Sequence, residues 1–435
     1  MHHLLLTPPT SPLNATLSVP GSKSYTNRAL LMAAQADGTS RLSSASISSD
    51  SVAMILALSK LGVVVHQRAS ALGSELIVAG RAGEFIPYNG VIDVGPAGTT
   101  MRFLAALCAG IPGCDITLSG TPHMHTRPIK ELVDALKCLG ADIEYHGDTG
   151  CPPLRIRCPA PLGAGTVIMD GSVSSQFISA LLLTAPLNRS ADLTIELSSP
   201  QISKSYIDMT LQGMRDFGVS ITNDQYRSYK YQSTERFVAR EYQVEGDASG
   251  ASYLWGLAAI SGGTVSVCNI NPDSAQGDIK FPELLARMGC RVTRGERSIT
   301  VTGPTKLQAI EADMSAMPDT AQTLAVIAAC AEGTPTITGL STLRVKETDR
   351  IAALHTELSK LGIKSEAGAD YLVVHGGIPG AARIETYDDH RMAMSFAMLS
   401  AKIPGIEIEE PQVVDKSFPE FWETLRLTGI QVKSA

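Results

Sequence analysis

Basic and hydroxyl side chains gather where helices are predicted to begin. Residues 20–30 form a Pro-Gly turn followed by Lys23, Ser24 and Arg28, ahead of a segment rich in Ala and Leu. Because helix N-termini have unpaired amide donors and a partial positive charge, they attract anions. The stretch is typical of an anion-binding turn, but a capped surface helix with two solvated cations would contain the same residues. Its spacing is not that of a Walker loop.

Cations recur in the predicted turns and polar loops further along the chain, at Arg127, Lys346, Arg350, Arg391 and Lys416. The whole chain has a formal net charge of −7, and cations at helix starts oppose the helix dipole, so stability alone does not explain them. Planar guanidinium groups match phosphate and carboxylate. We therefore predict an anionic substrate that bears both groups.

Small, hydroxyl and acidic residues accompany these cations, at Gly98, Ser174, Ser175, Gln176, Ser203, Asp319 and Glu347. Each has an ordinary explanation when taken alone: a turn glycine, helix-capping serines, an N-cap aspartate, and a solvated helix pair between Glu347 and Arg350. Taken together, two carboxylates among cations could do general acid–base chemistry on the predicted substrate.

The composition excludes several classes of protein. A chain of 435 residues exceeds one ordinary core, so two domains or a repeat array is expected. Aromatic residues are only 5% and the net charge is negative, which disfavours a generic nucleic-acid or membrane-surface binder. The eight cysteines show no metal-binding spacing and fit a reducing cytoplasm, and no apolar run approaches a membrane span. We expect a cytoplasmic protein without a metal site.

One unit repeats six times along the chain. Its opening turns lie at Gly21, Gly98, Gly171, Gly246, Asp319 and Asp389, separated by 77, 73, 75, 73 and 70 positions. Glycines that close a second helix recur with the same period, at Gly62, Gly140, Gly218, Gly289, Gly362 and Gly429. Short strands of alternating apolar residues lie between the helices, so each unit is predicted to be βαβαββ.

Six such units make an α/β protein, most simply divided three plus three. We predict an N-terminal domain of residues 21–242 and a C-terminal domain of residues 1–20 and 243–435. The N-terminal strand at residues 16–19 would then pair with the last unit or within the second domain. The chain would cross between domains twice, near Pro20 and Tyr242, which predicts a hinge.

Seven motifs resemble, in order and over essentially the whole chain, those of the EPSP synthases, a family of enolpyruvyl transferases. They are GSKS at 21–24, AGT at 97–99, RP at 127–128, SSQ at 174–176, EGDAS at 245–249, RVKETDR at 344–350 and DHRM at 389–392. The RVKETDR run is the most specific. The resemblance implies two domains of three βαβαββ units each, arranged as an inside-out α/β barrel.

The resemblance also implies an activity: transfer of the enolpyruvyl group of phosphoenolpyruvate to the 5-hydroxyl of shikimate 3-phosphate, in the pathway to chorismate and the aromatic amino acids. It implies a monomer that needs no cofactor or metal. Shikimate 3-phosphate contacts fall on Lys23, Ser24, Arg28, Ser174, Ser175, Gln176, Ser203, Asp319 and Lys346. Phosphoenolpyruvate contacts fall on Lys23, Gly98, Arg127, Gln176, Arg350, Arg391 and Lys416.

Three residues are expected to do the chemistry of that reaction. We assign Asp319 as the base toward the hydroxyl, Glu347 as proton donor and acceptor at the methylene carbon, and Lys23 as stabiliser of the departing phosphate.

Three positions depart from the family pattern: Pro96 and Phe103 flank the second opening, and Thr342 stands where an Asn ligand is common. They affect loop geometry and one substrate contact. Glyphosate is expected to compete with phosphoenolpyruvate beside Gly98.

Two alternatives remain at this point. A sister enzyme transfers enolpyruvyl to UDP-N-acetylglucosamine, but it usually has a reactive Cys just before its Arg-Pro pair. Residues 120–126 contain no Cys, and Cys114 lies too far upstream. A non-catalytic repeat protein that binds anions is the other alternative, and it leaves Asp319 and Glu347 unexplained.

Overall fold

The computed structural model describes residues 3–70, 73–188 and 192–435. It divides into two compact units. The N-terminal unit is Gly21–Val244, and the C-terminal unit combines Met1–Pro20 with Glu245–Ala435. The chain therefore passes between units after Pro20 and again after Val244.

The elements alternate between helices and short strands throughout the described residues. The α-helices are α1 (Lys23–Gln35), α2 (Ser49–Lys60), α3 (Gly98–Ala109), α4 (Lys130–Cys138), α5 (Ser175–Thr184), α6 (Lys204–Asp216), α7 (Ala248–Ser261), α8 (Phe281–Arg287), α9 (Ala321–Ala328), α10 (Arg350–Lys360), α11 (His390–Ala397) and α12 (Phe421–Leu427).

The strands are β1 (His3–Thr7), β2 (Asn14–Leu17), β3 (Thr39–Ser43), β4 (Val64–Ser70), β5 (Gly73–Ala79), β6 (Asn89–Asp93), β7 (Asp115–Ser119), β8 (Asp142–Tyr145), β9 (Leu154–Arg157), β10 (Gly165–Met169), β11 (Leu193–Leu197), β12 (Thr222–Asp224), β13 (Ser228–Tyr231), β14 (Glu241–Gln243), β15 (Thr264–Val267), β16 (Arg291–Arg294), β17 (Ile299–Thr302), β18 (Leu307–Gln308), β19 (Glu311–Asp313), β20 (Ala331–Glu332), β21 (Thr336–Thr338), β22 (Ser365–Ala367), β23 (Leu372–Val374), β24 (Arg383–Ile384), β25 (Ile406–Glu409) and β26 (Gln431–Ser434).

Six four-stranded sheets share one topology, which confirms the predicted repeat. In each sheet the first two strands pair in parallel, and two further strands add to the second of them in antiparallel fashion. In the N-terminal unit the orders are β14-β3-β5-β4, β6-β7-β9-β8 and β10-β11-β13-β12. In the C-terminal unit they are β2-β15-β17-β16, β19-β21-β23-β22 and β24-β25-β1-β26. A short parallel pair, β18-β20, completes the described strands.

Strands distant in sequence complete three of these sheets. The predicted N-terminal strand is β2, and it pairs in parallel with β15 in the C-terminal unit. Strand β1, which the sequence analysis did not predict, lies between β25 and β26. Strand β14 pairs in parallel with β3, so the N-terminal unit extends past Tyr242.

The closing glycines occupy the position that their period predicts. Each lies two residues after the last residue of the second helix of its repeat. All six have φ between 78° and 100°, the left-handed conformation that glycine adopts at the end of a helix.

The first helix of each repeat forms the core of its unit. In α7 every residue except Ser261 is buried, and α3 packs against α5 in the N-terminal unit as α9 packs against α11 in the C-terminal unit. The second helices are amphipathic: α4 buries only its apolar side chains. None of the helices in the described part of the chain has the length and apolar character that crossing a membrane requires. The opening turns of each unit are thus attached to rigid core helices.

Candidate active site

In the N-terminal unit, Lys23 is the first residue of α1 and is held by an acid that the sequence analysis missed. Ser22 caps the helix and accepts a hydrogen bond from the Tyr25 amide at 3.4 Å. The Lys23 Nζ lies 3.1 Å from Asp50 Oδ2, and the Asp50 side chain is only 3% exposed. Its other oxygen, Oδ1, has no hydrogen-bond partner within the described residues. In the sequence, the only signal for a role of Asp50 is its position in the first turn of a predicted second helix.

Arg28 is buried without an ion-pair partner among the described residues. Its nitrogens donate to Thr210 Oγ1 at 2.8 Å, to the Ser24 carbonyl at 2.9 Å and to the Tyr206 carbonyl at 3.1 Å. Burial lowers the pKa of Arg28 to about 10, so the group stays charged at neutral pH. The ring centroid of Phe103, one of the departures from the family pattern, lies 5.5 Å from its Cζ. A buried charge balanced only by neutral acceptors suits an anionic ligand.

The second opening brings Gly98 against the guanidinium of Arg127. A Cβ at Gly98 would lie 2.5 Å from Arg127 Nη1 and 2.9 Å from Arg102 Nη1. Arg102 donates to the Gly98 carbonyl at 3.0 Å and to the Pro128 carbonyl at 2.8 Å, which ties the turn to the Arg-Pro pair. Gly98 is therefore needed for close approach and is more than an ordinary turn residue.

The third opening is linked to the second through a side-chain hydrogen bond. Ser174 caps α5 by accepting from the Gln176 amide at 3.3 Å, as the ordinary explanation for this serine predicts. Gln176 Nε2 donates to Thr99 Oγ1 at 3.2 Å. Ser203 immediately precedes α6, at φ 49°, and its hydroxyl does not cap the helix. Ser175 is buried in the first turn of α5.

In the C-terminal unit, Arg350 is the centre of a buried ion cluster. It begins α10 and its side chain is 1% exposed. It contacts Asp389 Oδ2 through Nε at 2.7 Å, Glu347 Oε2 through Nη2 at 2.7 Å, and Asp319 Oδ1 through Nη1 at 3.4 Å. Burial opposes the charge of Arg350, but the carboxylates outweigh it and raise the pKa of Arg350 above its ordinary value. The Glu347–Arg350 contact is thus a buried one and not a solvated helix pair.

Further cations surround the two predicted catalytic carboxylates. Arg391 Nη2 lies 3.0 Å from Asp319 Oδ2, and Lys346 Nζ lies 3.9 Å from Asp319 Oδ1. Lys416 Nζ lies 2.9 Å from Glu347 Oε1. Asp319 is not an N-cap, because it sits in a 3-10 turn and Thr320 precedes α9.

The cluster has a surplus of positive charge. Four cations (Lys346, Arg350, Arg391 and Lys416) face three carboxylates (Asp319, Glu347 and Asp389), which leaves one formal positive charge. Asp389 was not assigned a role from the sequence, although it opens the sixth repeat. Such a cluster can bind an anion and place two carboxylates beside it.

Each unit thus brings together its own share of the predicted residues. Lys23, Ser24, Arg28, Gly98, Arg127, Ser174, Ser175, Gln176 and Ser203 belong to the N-terminal unit, and Asp319, Lys346, Glu347, Arg350, Arg391 and Lys416 to the C-terminal unit. Across the described ranges, no group of three or more His, Cys, Asp or Glu side chains is placed to hold a metal ion. Thr342 contributes a buried hydroxyl without a hydrogen-bond partner in the described part of the chain.

A buried acid next to the ion cluster predicts a pH effect on stability. Burial, with a further contribution from Asp319, raises the pKa of Asp278 to about 7, although Ser249 donates a hydrogen bond to its carboxylate. An unfolded Asp releases its proton near 3.8. Because the folded state holds this proton more tightly, Asp278 lowers the free energy of unfolding progressively as pH rises from about 4 to about 7.

We therefore expect Asp278→Asn to be more stabilising, or less destabilising, at about pH 8 than at about pH 5, by a few kcal/mol. Urea unfolding followed by tryptophan fluorescence measures this, since both tryptophans, Trp255 and Trp422, lie in the C-terminal unit. The exposed Asp273→Asn is the matched control. If Asp278→Asn changed the free energy of unfolding equally at both pH values, the raised pKa of Asp278 would be contradicted.

Comparison with known proteins identifies the family of the chain. A profile of the family EPSP synthase (3-phosphoshikimate 1-carboxyvinyltransferase) matches residues 7–425. The 3-phosphoshikimate 1-carboxyvinyltransferase of Serratia proteamaculans is 44% identical over 424 residues, covering 96% of each chain. That of Herminiimonas arsenicoxydans is 42% identical over 428 residues, covering 97% of this chain and 96% of its own.

Solved structures extend the similarity to the fold. An EPSP synthase structure from Acinetobacter baumannii superposes with a TM-score of 0.83 at 26% identity, covering 100% of both chains. The match includes both units and all six repeats. The chain therefore belongs to the EPSP synthase (3-phosphoshikimate 1-carboxyvinyltransferase) family.

Proposed function

We propose that this chain transfers the enolpyruvyl group of phosphoenolpyruvate to the 5-hydroxyl of shikimate 3-phosphate and releases phosphate. The ion cluster around Arg350 is the observation that supports this best. Its surplus positive charge suits a substrate with a phosphate and a carboxylate, and Asp319 and Glu347 stand within the same cluster.

Shikimate 3-phosphate binds, in this proposal, mainly through the N-terminal unit. Its proposed contacts there are Lys23, Ser24, Arg28, Ser174, Ser175, Gln176 and Ser203, and Asp319 and Lys346 add contacts from the C-terminal unit. The uncompensated charge of Arg28 and the unused hydroxyl of Ser203 support this set. Hydroxyl and guanidinium donors are the groups that recognise phosphate and carboxylate in proteins.

Phosphoenolpyruvate contacts Lys23, Gly98, Arg127, Gln176, Arg350, Arg391 and Lys416 in the same proposal. Because Gly98 has no side chain, the Arg127 guanidinium lies directly against the backbone of that turn, which supports the place of both residues in this set. The predicted hinge, the monomeric state and the cytoplasmic location stay predictions.

The reaction needs three proton transfers, and we assign them to the two carboxylates. In the addition step, the 5-oxygen bonds to C2 of phosphoenolpyruvate, Asp319 takes the hydroxyl proton, and Glu347 delivers a proton to the methylene carbon. In the elimination step, the C2–O bond to phosphate breaks, the proton that Asp319 had taken up leaves with the phosphate, and Glu347 removes a proton from the methyl group, which restores the double bond. Asp319 thus acts at the 5-oxygen, and Glu347 acts twice at the methylene carbon.

The cations stabilise the charge that develops during these steps. Arg350, Arg391 and Lys416 hold the phosphate and carboxylate of the tetrahedral intermediate, and Lys23 compensates the departing phosphate. Asp50 orients Lys23 through the 3.1 Å contact. Within the C-terminal unit, ion pairs with Asp319, Glu347 and Asp389 hold Arg350, Arg391 and Lys416 in place.

The first experiment tests which acceptor substrate the protein uses. We expect the purified protein to release phosphate from phosphoenolpyruvate when shikimate 3-phosphate is present, and to release none with UDP-N-acetylglucosamine. A continuous phosphate assay with each acceptor in parallel measures this. Release with UDP-N-acetylglucosamine alone would support the sister enzyme, and release with neither acceptor would contradict the proposed function.

The proton-transfer roles are tested by isosteric variants. Asp319→Asn and Glu347→Gln should each lower kcat by about 10²- to 10⁴-fold, the usual range for a lost general acid or base. Steady-state phosphate release measures kcat. The exposed Asp370→Asn and Glu296→Gln are matched controls and should keep kcat within about twofold. Near-native turnover in either active-site variant would refute its role.

A further inference from the structure

A second buried acid on α10 lies outside the ion cluster. Glu357 is fully buried, although a carboxylate is costly to bury unless its oxygens are satisfied. Its Oε1 accepts from the Tyr387 hydroxyl at 2.6 Å, and its Oε2 accepts from the Glu385 backbone amide at 3.2 Å. Lys360 Nζ also lies 2.8 Å from Oε1, at the surface. Both oxygens of Glu357 are therefore directed at one short segment, residues 385–387.

That segment has an unfavourable backbone conformation. Tyr387 and Asp388 are consecutive residues with φ of 54° and 53°, in the left-handed region that residues other than glycine adopt at a cost. Such a conformation persists where the surrounding contacts determine it. The two hydrogen bonds to Glu357 are contacts of that kind, one to the backbone before the turn and one to a side chain within it.

The turn leads directly into the ion cluster. Asp389 follows Asp388, and its amide donates to the Thr386 carbonyl at 2.8 Å. The Asp389 carboxylate holds Arg350 Nε at 2.7 Å and accepts from the Arg391 amide at 2.9 Å as the cap of α11. A shift of the turn would therefore move the partner of Arg350 and the start of the helix that contains Arg391.

Arg350 and Glu357 contact this segment from the same helix. They are seven residues apart on α10, which is about two turns, so they lie on one face. Arg350 holds Asp389 after the strained turn, and Glu357 holds Glu385 and Tyr387 at its start. The turn is thus fixed to α10 at both ends.

We propose that Glu357 is a positioning residue that fixes Asp389, and through it Arg350 and Arg391, for phosphoenolpyruvate. This inference rests on the proposed function. It predicts that loss of the Glu357 contacts weakens phosphoenolpyruvate use much more than shikimate 3-phosphate binding, since most proposed contacts of the latter lie in the N-terminal unit.

Two variants test the proposal. Glu357→Gln should lower kcat/KM for phosphoenolpyruvate at least about tenfold, chiefly through KM, and Tyr387→Phe should lower it by about threefold or more. The Kd of shikimate 3-phosphate, measured calorimetrically without phosphoenolpyruvate, should stay within about threefold of wild type in both. Both changes affect the hydrogen bond between Glu357 and Tyr387. The kcat/KM of the double variant should therefore be at most about threefold lower than that of Glu357→Gln alone.

Controls distinguish a positioning role of Glu357 from a general loss of folding stability. Glu366→Gln, which removes the charge of an exposed carboxylate that contacts His375 in the same unit, should leave all constants within about twofold of wild type. Thermal unfolding by tryptophan fluorescence shows whether each variant is folded, and Tyr387→Phe keeps the backbone contact of Glu357 if Glu357→Gln does not fold.

The outcomes are distinct. Folded variants with wild-type KM and kcat would overturn the positioning role, and so would a parallel loss of shikimate 3-phosphate affinity. Failure of the wild-type protein itself to release phosphate would overturn the proposed function, and with it any positioning for phosphoenolpyruvate.

Discussion

The buried guanidinium of Arg350 constrains the rest of the site in the C-terminal unit. Its guanidinium is almost fully buried, and Asp319, Glu347 and Asp389 all contact it. Three carboxylates around one Arg would in turn repel one another, so Arg391, Lys346 and Lys416 compensate two of them from other elements. Removing Asp389, the fully buried partner of Arg350, would leave an unpaired buried charge, at a cost of about 3–5 kcal/mol. The contacts of the cluster thus contain one more cation than carboxylate.

The N-terminal unit buries its arginine in a different way. Arg28 is held by a hydroxyl, two carbonyl groups and an aromatic face, with no carboxylate ion pair in the described ranges. Neutral acceptors fix its position but do not cancel its charge, and burial lowers its pKa only to about 10. Here the positive charge available for an anion is a single fixed group, whereas around Arg350 it is spread over several cations.

The parts of the fold set by local chemistry could be predicted from the sequence. The closing glycines were found because a left-handed residue after a helix is a local requirement, and their φ values agree. The strand β1 and the partner of β14 were not found, because their pairing joins segments far apart in the chain. Nothing local distinguishes an apolar run of three leucines from other short apolar runs.

The same distinction holds for the site. The cations were conspicuous because their positions oppose the helix dipole, and the family motifs contain most of them. Asp50, Asp278 and Glu357 were missed because an acid at a helix start or on a helix face is ordinary until packing shows what it contacts. The Glu347–Arg350 spacing is that of a surface pair, and only the fold shows that it is buried.

The central claim is that surplus positive charge around Arg350 binds the anionic groups of phosphoenolpyruvate. Phospholactate retains the phosphate and carboxylate of phosphoenolpyruvate but has no vinyl group and cannot react, so its binding can be measured by calorimetry on the active protein with shikimate 3-phosphate present. The account predicts one site, with affinity at least about tenfold weaker in Lys416→Met, which removes the surplus charge, and unchanged in the exposed Lys402→Met. Equal affinity of the wild type and Lys416→Met would contradict the account.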